Sequence, residues 1–367
     1  MKKVRLGIIG IGSMGTYYTK TICEGKVPDM ELTAVADVLP ERRIWAAEFL
    51  GADFPVFEDA AKLFNSGLVD AVLIVTPHYQ HPSLCIEALN AGLHVLCDKP
   101  AGVFTKDVRE MNNIAAKSGK VFGIMFNQRT NPLYQKMREL VNSGNLGAMM
   151  RLDWTITNWF RTDFYYRNGG WRGTWKGEGG GVLINQSVHQ LDLLQWICGM
   201  PKSVRAFCHF GKWHKIEVED DVTAYFEFPN GATGTFITST GEYPGENRFS
   251  ISLEKGKIVY NAENELKVFK LYQSVTELNK TAEQGMPNPG FTLEKPYISS
   301  SNPQHSGVLC SFAGRILRGE PLVAEGQEGI NSLLLSNAMY LSSWLDKTID
   351  IPFDEDLFLA ELNKRRG

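Results

Sequence analysis

The segment Val4–Gly15, VRLGIIGIGSMG, constrains the fold more than any other stretch. An apolar run ends in Gly10, Gly12 and Gly15 at G-x-G-x-x-G spacing, and a helix-competent stretch, Met14–Ile22, follows. Each glycine answers a separate demand. Gly10 permits the tight turn, Gly12 lets the backbone approach a pyrophosphate, and Gly15 lets the helix pack closely on the strand. The helix N-terminus then turns its N–H groups toward the phosphates. With Ile11, Ser13 and Met14 between them, these residues form a candidate cofactor cradle. A second strand candidate, Glu31–Ala36, ends at Asp37, about 20 residues past the glycines, where an acid accepts the adenosine ribose hydroxyls. A carboxylate there repels a 2′-phosphate, so the expected cofactor is NAD rather than NADP. Arg42 and Arg43 read as the solvated face of a helix over Pro40–Leu50.

The alternation of strand and helix continues. DAVLIVTP (Asp70–Pro77) reads as a strand buried on both faces, HPSLCIEALNAG (His81–Gly92) as a helix, and LHVLCDKP (Leu93–Pro100) as another strand. A helix over Thr105–Ser118 and a strand over Val121–Met125 complete a doubly wound parallel sheet. Ligands bind outside the carboxyl ends of such strands. Thr76, Pro77, Asp98, Lys99 and Asn127 occupy those ends, and with His81 a few residues on they are candidate cofactor contacts.

From Ala148 the texture changes. Segments such as AMMRLDWTIT, VTAYFEFP and ATGTFITST are rich in β-branched and aromatic residues, several alternating with period two between PNG, YPGEN and EKGK turns. This pattern predicts an open, mainly antiparallel sheet. Ser274–Ser306 reads as a loop, and helices follow over about 307–318 and 326–345. The expected division is a dinucleotide-binding domain over 1–125 and a substrate-binding and oligomerisation domain over 126–367. The net charge of −3 gives no electrostatic case for nucleic acid or a membrane surface. No stretch approaches the roughly 20 apolar residues of a membrane span. Six cysteines without a C-x-x-C pair predict reduced thiols and a cytoplasmic protein, with no metal site.

Between the first two strands of the second region lies EGGGVLINQSVHQLD (Glu178–Asp192). Asn185, His189 and Asp192 fall at helical spacings and share one face. Upstream, NWFRTDFYYRNGGW crowds Tyr165 and Trp171 among arginines and amides, a mixture suited to the apolar faces and hydroxyls of a sugar.

With these blocks in view, the chain resembles the glucose–fructose oxidoreductase / inositol dehydrogenase / MocA family of nicotinamide-dependent oxidoreductases. The resemblance rests on GIIGIGSMG, on VTPHYQHPSLCIEALNAGLHVLCDKP with His81 a few residues after Thr76–Pro77, and on GGGVLINQSVHQLDLLQWICG. It implies an α/β Rossmann domain followed by an α+β domain whose open sheet carries helices on one face. It further implies that Lys99 is a catalytic lysine before a cis proline, that His189 faces the nicotinamide, and that Trp171 and Arg172 approach the cofactor. Asp98 stands where the family has Glu, and Asn185 where it often has Asp. An amide can hydrogen-bond but cannot act as a base, so Asn185 reads as a substrate binder.

The expected activity is hydride transfer between a carbohydrate or polyol hydroxyl carbon and NAD, in a homo-oligomer, a dimer or tetramer. Lys99 and His189 are the proton-transfer groups. Lys99, Asn127, Tyr165, Trp171, Asn185 and His189 face the substrate. Two rivals remain: a glycosidase working by transient oxidation with tightly held NAD+, and a non-catalytic dinucleotide sensor.

Overall fold

The computed structural model describes residues 2–168, 170–261 and 265–367. The chain forms two compact units. One comprises the chain up to Thr130, Gly177–Gly179 and Pro303–Leu333; the other comprises Asn131–Lys176, Gly180–Asn302 and Leu334–Gly367. The division expected at residue 125 is contiguous in sequence, whereas these units are not.

The first unit holds six strands: β1 (Val4–Ile9), β2 (Met30–Ala36), β3 (Val56–Phe57), β4 (Ala71–Ile74), β5 (His94–Cys97) and β6 (Phe122–Ile124). They form one sheet in the order β3-β2-β1-β4-β5-β6, every pair parallel. All four residues of β4 are buried, as a strand covered by helices on both faces must be. The helix Gln304–Arg318 packs Val308, Leu309, Phe312 and Ala313 into the core of this sheet, against Leu6, Ile8 and Leu96 among others. The segment after it pairs Glu325 with Gly123 in an antiparallel bridge, and the Ile124 N–H donates to the Ala324 carbonyl at 3.3 Å.

The second unit contains β7 (Met149–Ile156), β8 (Ser203–Phe210), β9 (Glu219–Glu227), β10 (Thr233–Ser239), β11 (Asn247–Leu253), β12 (Gly256–Asn261), β13 (Glu265–Leu271), β14 (Phe291–Glu294) and β15 (Ile349–Asp350). The sheet runs β14-β13-β12-β11-β7-β10-β9-β8-β15, and only β7 and β10 pair in parallel. One face is buried. Trp154 stacks on Phe249 at 4.1 Å between centroids, meets Phe236 edge-on, and lies under Tyr134 of the helix Pro132–Asn142. The register puts Phe207, Tyr225 and Ile237 on the opposite face, where Phe207 is 52% and Tyr225 42% exposed.

Two features depart from expectation. Ser274–Ser306 is not all loop: a helix spans Val275–Thr281 and β14 lies beyond it. The helix signal was present, since Ser274 accepts from the Glu277 N–H in an S-x-x-E box. All four β14 side chains are exposed, so no alternation marks that strand. The helix carrying His189 starts at Val188, leaving Asn185 in the preceding turn. All six cysteines are free thiols. No helix among the described residues is long and apolar enough to cross a membrane.

Trp154 is fully buried and donates from its indole to the Asn247 side chain at 3.1 Å. Trp154→Ala is expected to lower the free energy of unfolding by about 3–5 kcal/mol, measured by denaturant titration.

Candidate functional site

In the first unit, the turn after β1 is built by contact. Gly10 has φ +91°, and a Cβ there would lie 2.9 Å from the Val75 carbonyl oxygen. A Cβ on Gly15 would meet the Gly10 carbonyl oxygen at 2.0 Å, so the helix Ser13–Cys23 can lie this close to β1 only with glycine there. A Cβ on Gly12 would meet nothing within 4 Å. The second glycine therefore faces open space, and no side chain caps the helix behind it. These are the features a pyrophosphate requires, so the residues present fit a bound dinucleotide.

Asp37 follows β2. Its carboxylate accepts from the Ile11 N–H at 2.6 Å and the Leu39 N–H at 2.9 Å, which ties the acid to the cradle. Arg43 donates to the Asp37 and Val38 carbonyls, and Arg42 is exposed. Thr76 and Pro77 follow β4, Asp98 and Lys99 follow β5, and Asn127 follows β6, all at the carboxyl ends of one parallel sheet. The Lys99–Pro100 peptide is cis.

His81 is buried. One ring nitrogen lies 2.6 Å from the Pro100 carbonyl oxygen and the other 2.7 Å from that of Thr76. Only an imidazolium donates from both nitrogens. Burial opposes the charge, yet Cys97, the Pro100 carbonyl and Asp98 outweigh it and raise the pKa to about 9. His81 thus clamps the end of β4 to the proline after Lys99.

Sequence reasoning missed three neighbours in this unit. Gln304 stands at φ +50° and accepts from the side chains of Asn127 (2.5 Å) and Gln128 (3.2 Å), so it fixes Asn127. His305 packs edge-on against Tyr17 and Tyr18. Burial lowers its pKa, with Asp98 opposing and Lys99 adding to the shift. Tyr18 lies beside Asp98, and burial together with that carboxylate raises its pKa well above the usual value. The left-handed backbone of Gln304 has no signature in the sequence.

In the second unit, the glycine run closes a turn. A Cβ on Gly180 would strike the Tyr340 hydroxyl at 2.2 Å, and one on Gly181 would strike the Glu219 carbonyl oxygen at 2.1 Å. The Glu219 side chain has no exposed surface. It accepts from the Gly181 N–H (2.9 Å), the Leu183 N–H (2.8 Å) and the Tyr340 hydroxyl (2.8 Å). Burial pushes its pKa up to about 8 against those three donors. Past this turn, the Asn185 and Gln186 amides each donate to the Tyr165 hydroxyl at 3.2 Å. The Arg172 guanidinium lies 4.7 Å from the Tyr165 ring centre and 4.8 Å from that of Trp171. His189, half-buried, follows Asn185 by four residues. Asp192 is buried and accepts from Gln195 at 3.0 Å. Tyr165, Trp171, Arg172 and Asn185 are thus brought together, and Gln186 joins them. Among the described residues no group of three His, Cys, Asp or Glu is placed to hold a metal ion.

The glycines separate binding from folding. Gly12→Ala is expected to leave thermal stability unchanged and to weaken NADH binding roughly tenfold or more, each tenfold being about 1.4 kcal/mol. Gly15→Ala should instead destabilise the fold by about 1–3 kcal/mol, the usual cost of overpacking. Thermal unfolding and fluorescence titration with NADH read the two effects.

The model of an oxidoreductase family with an NAD-binding Rossmann fold matches residues 4–126, and that of the GFO/IDH/MocA C-terminal domain matches residues 134–259. D-glucoside 3-dehydrogenase of Escherichia coli is 31% identical over 249 residues, covering 62% of this chain and 68% of that protein. Myo-inositol 2-dehydrogenase of Thermotoga maritima is 25% identical over 343 residues, covering 91% and 95%. Several other curated relatives are matched over only 52–58% of their length. The WlbA dehydrogenase of Chromobacterium violaceum, solved with NADH and UDP-GlcNAcA, superposes with a TM-score of 0.81 at 28% identity, covering 96% of this chain and 97% of that one. The chain belongs to the GFO/IDH/MocA family of NAD-binding oxidoreductases.

Proposed function

We propose that this protein is an NAD-dependent dehydrogenase acting on a hydroxyl-bearing carbon of a sugar, glycoside or polyol. The observation that carries the reading is the polar and aromatic group of the second unit. Tyr165 and Trp171 offer flat apolar faces, and the amides of Asn185 and Gln186 meet at one phenol oxygen. Such surfaces suit the C–H faces and hydroxyls of a carbohydrate. The relatives act on a glucoside and on myo-inositol by their names, which supports the same substrate class.

Bound NAD+ supplies the hydride acceptor. Gly10–Gly15 hold its pyrophosphate, Asp37 its adenosine ribose, and the Asp37 charge disfavours the 2′-phosphate of NADP. Thr76, Pro77, Asp98, Asn127, Trp171 and Arg172 complete the cofactor contacts in this reading. Lys99 and His189 take the hydroxyl proton of the substrate as its carbon is oxidised, with Asn127, Tyr165, Trp171 and Asn185 orienting it. Positioning of this kind supplies much of an enzyme's rate. The face of the second sheet that carries Phe207, Tyr225 and Ile237 is the surface we assign to self-association into a dimer or tetramer.

The test is NADH formation from a panel of sugars, glycosides and inositols. Net accumulation is expected with NAD+ and slower with NADP+. Accumulation also separates a dehydrogenase from a glycosidase that oxidises transiently. Lys99→Ala and His189→Ala should each lower kcat by about 10²–10⁴-fold, as loss of a general acid or base does, with NADH binding retained. Near-wild-type kcat in His189→Ala across the pH range would remove that residue from the proton path. Light scattering at micromolar protein should give a multiple of the 41.1 kDa chain mass, and a monomer would refute the assembly.

A further inference from the structure

Tyr165 is held as a donor. Its oxygen accepts from Asn185 Nδ2 and Gln186 Nε2, both at 3.2 Å. A phenol oxygen has two lone pairs, and both are engaged. Its own O–H can therefore only donate, and among the described residues no acceptor faces it. Two guanidinium groups lie over the ring: Arg172 at 4.7 Å and Arg161 at 5.2 Å from its centre. Arg161 is itself tied to the Trp159 and Phe160 carbonyls, so its charge stays in place. Gln186 is buried and Tyr165 half-buried, which keeps the arrangement partly out of water.

We infer that Tyr165 is a catalytic residue of the dehydrogenase reaction proposed above. Its hydroxyl donates to the substrate oxygen that becomes the carbonyl. A sugar hydroxyl both gives and takes a hydrogen bond, so a donor-only partner leaves its proton to be satisfied elsewhere. The reacting oxygen differs. Once Lys99 or His189 has taken its proton it is purely an acceptor, and it carries the negative charge that the leaving hydride relieves. A hydroxyl that already accepts two bonds is a stronger donor. The two guanidiniums over the ring keep positive charge beside that donor, without any reorganisation at the moment of reaction. Asn185 then acts through Tyr165: its amide aims the phenol, and Gln186 shares the task.

The experiment uses the intact enzyme with the best substrate of the panel. Tyr165→Phe should lower kcat by about 10²–10³-fold, the loss typical of removing one oxyanion donor, while NADH affinity and melting temperature stay at wild-type values. With substrate deuterated at the oxidised carbon, the isotope effect on kcat should rise in this variant, because hydride transfer becomes the slow step. Asn185→Leu should lower kcat in the wild-type background and change it little in the Tyr165→Phe background, since coupled residues are not additive. A Tyr165→Phe enzyme with kcat within about threefold of wild type, or Asn185 losses that add in full, would overturn the role of Tyr165 and leave the dehydrogenase reading intact. A wild-type protein that reduces NAD+ with no member of the panel would overturn both.

Discussion

Glu219 sits where water cannot reach it, and the turn of the second unit closes around its carboxyl group. Two backbone N–H groups and the Tyr340 hydroxyl converge on its two oxygens. A buried carboxyl group is costly unless its oxygens find donors, and a backbone N–H without a partner is costly in the same way. Each cost is met by the other group. The glycines follow from that closeness: the Tyr340 hydroxyl and the Glu219 carbonyl occupy the volumes that side chains at 180 and 181 would need. The turn in turn sets the start of the helix Val188–Cys198, and with it the places of Asn185, Gln186 and His189. The glycine run therefore serves the packing beneath it first, and the side chains beyond it inherit the result.

Much of the first unit was legible because its constraints are local. A buried parallel strand is apolar throughout, a helix stop is a glycine, and the cradle must have glycine at 10, 12 and 15. Each of these is read within about twenty residues of chain. The edge strand β14 and the clamp at His81 were not legible, for different reasons. Nothing in β14 is buried, so its partner strand defines it rather than its own pattern. The two carbonyls that His81 bonds belong to Thr76 and Pro100, and their meeting depends on how two strands end. The Gln304 contact spans 177 residues of sequence, which no local pattern encodes.

The amide at 185 shows how a motif can mislead and inform together. The spacing of Asn185 and His189 pointed to a ligand-facing group, and the amide pointed to binding rather than base chemistry. Its partner Tyr165 lies 20 residues upstream in a separate short helix, Asp163–Arg167. The aromatic crowding of that region was visible as composition. Which ring would be chosen, and by which amides, depended on the fold of the intervening loop.

The first unit takes its last core side chains, Val308 to Ala313, from a segment made long after its sheet. The second unit likewise draws on Leu334–Gly367. A ribosome delivers the chain in one direction, so neither unit is complete until its final stretch emerges. The nascent sheet must wait with apolar surface uncovered, the condition in which chaperones meet a polypeptide. For the same reason, a cut after residue 130 removes Val308, Leu309, Phe312 and Ala313 from the core of the first sheet. In this molecule the order of synthesis and the order of assembly are different sequences of events.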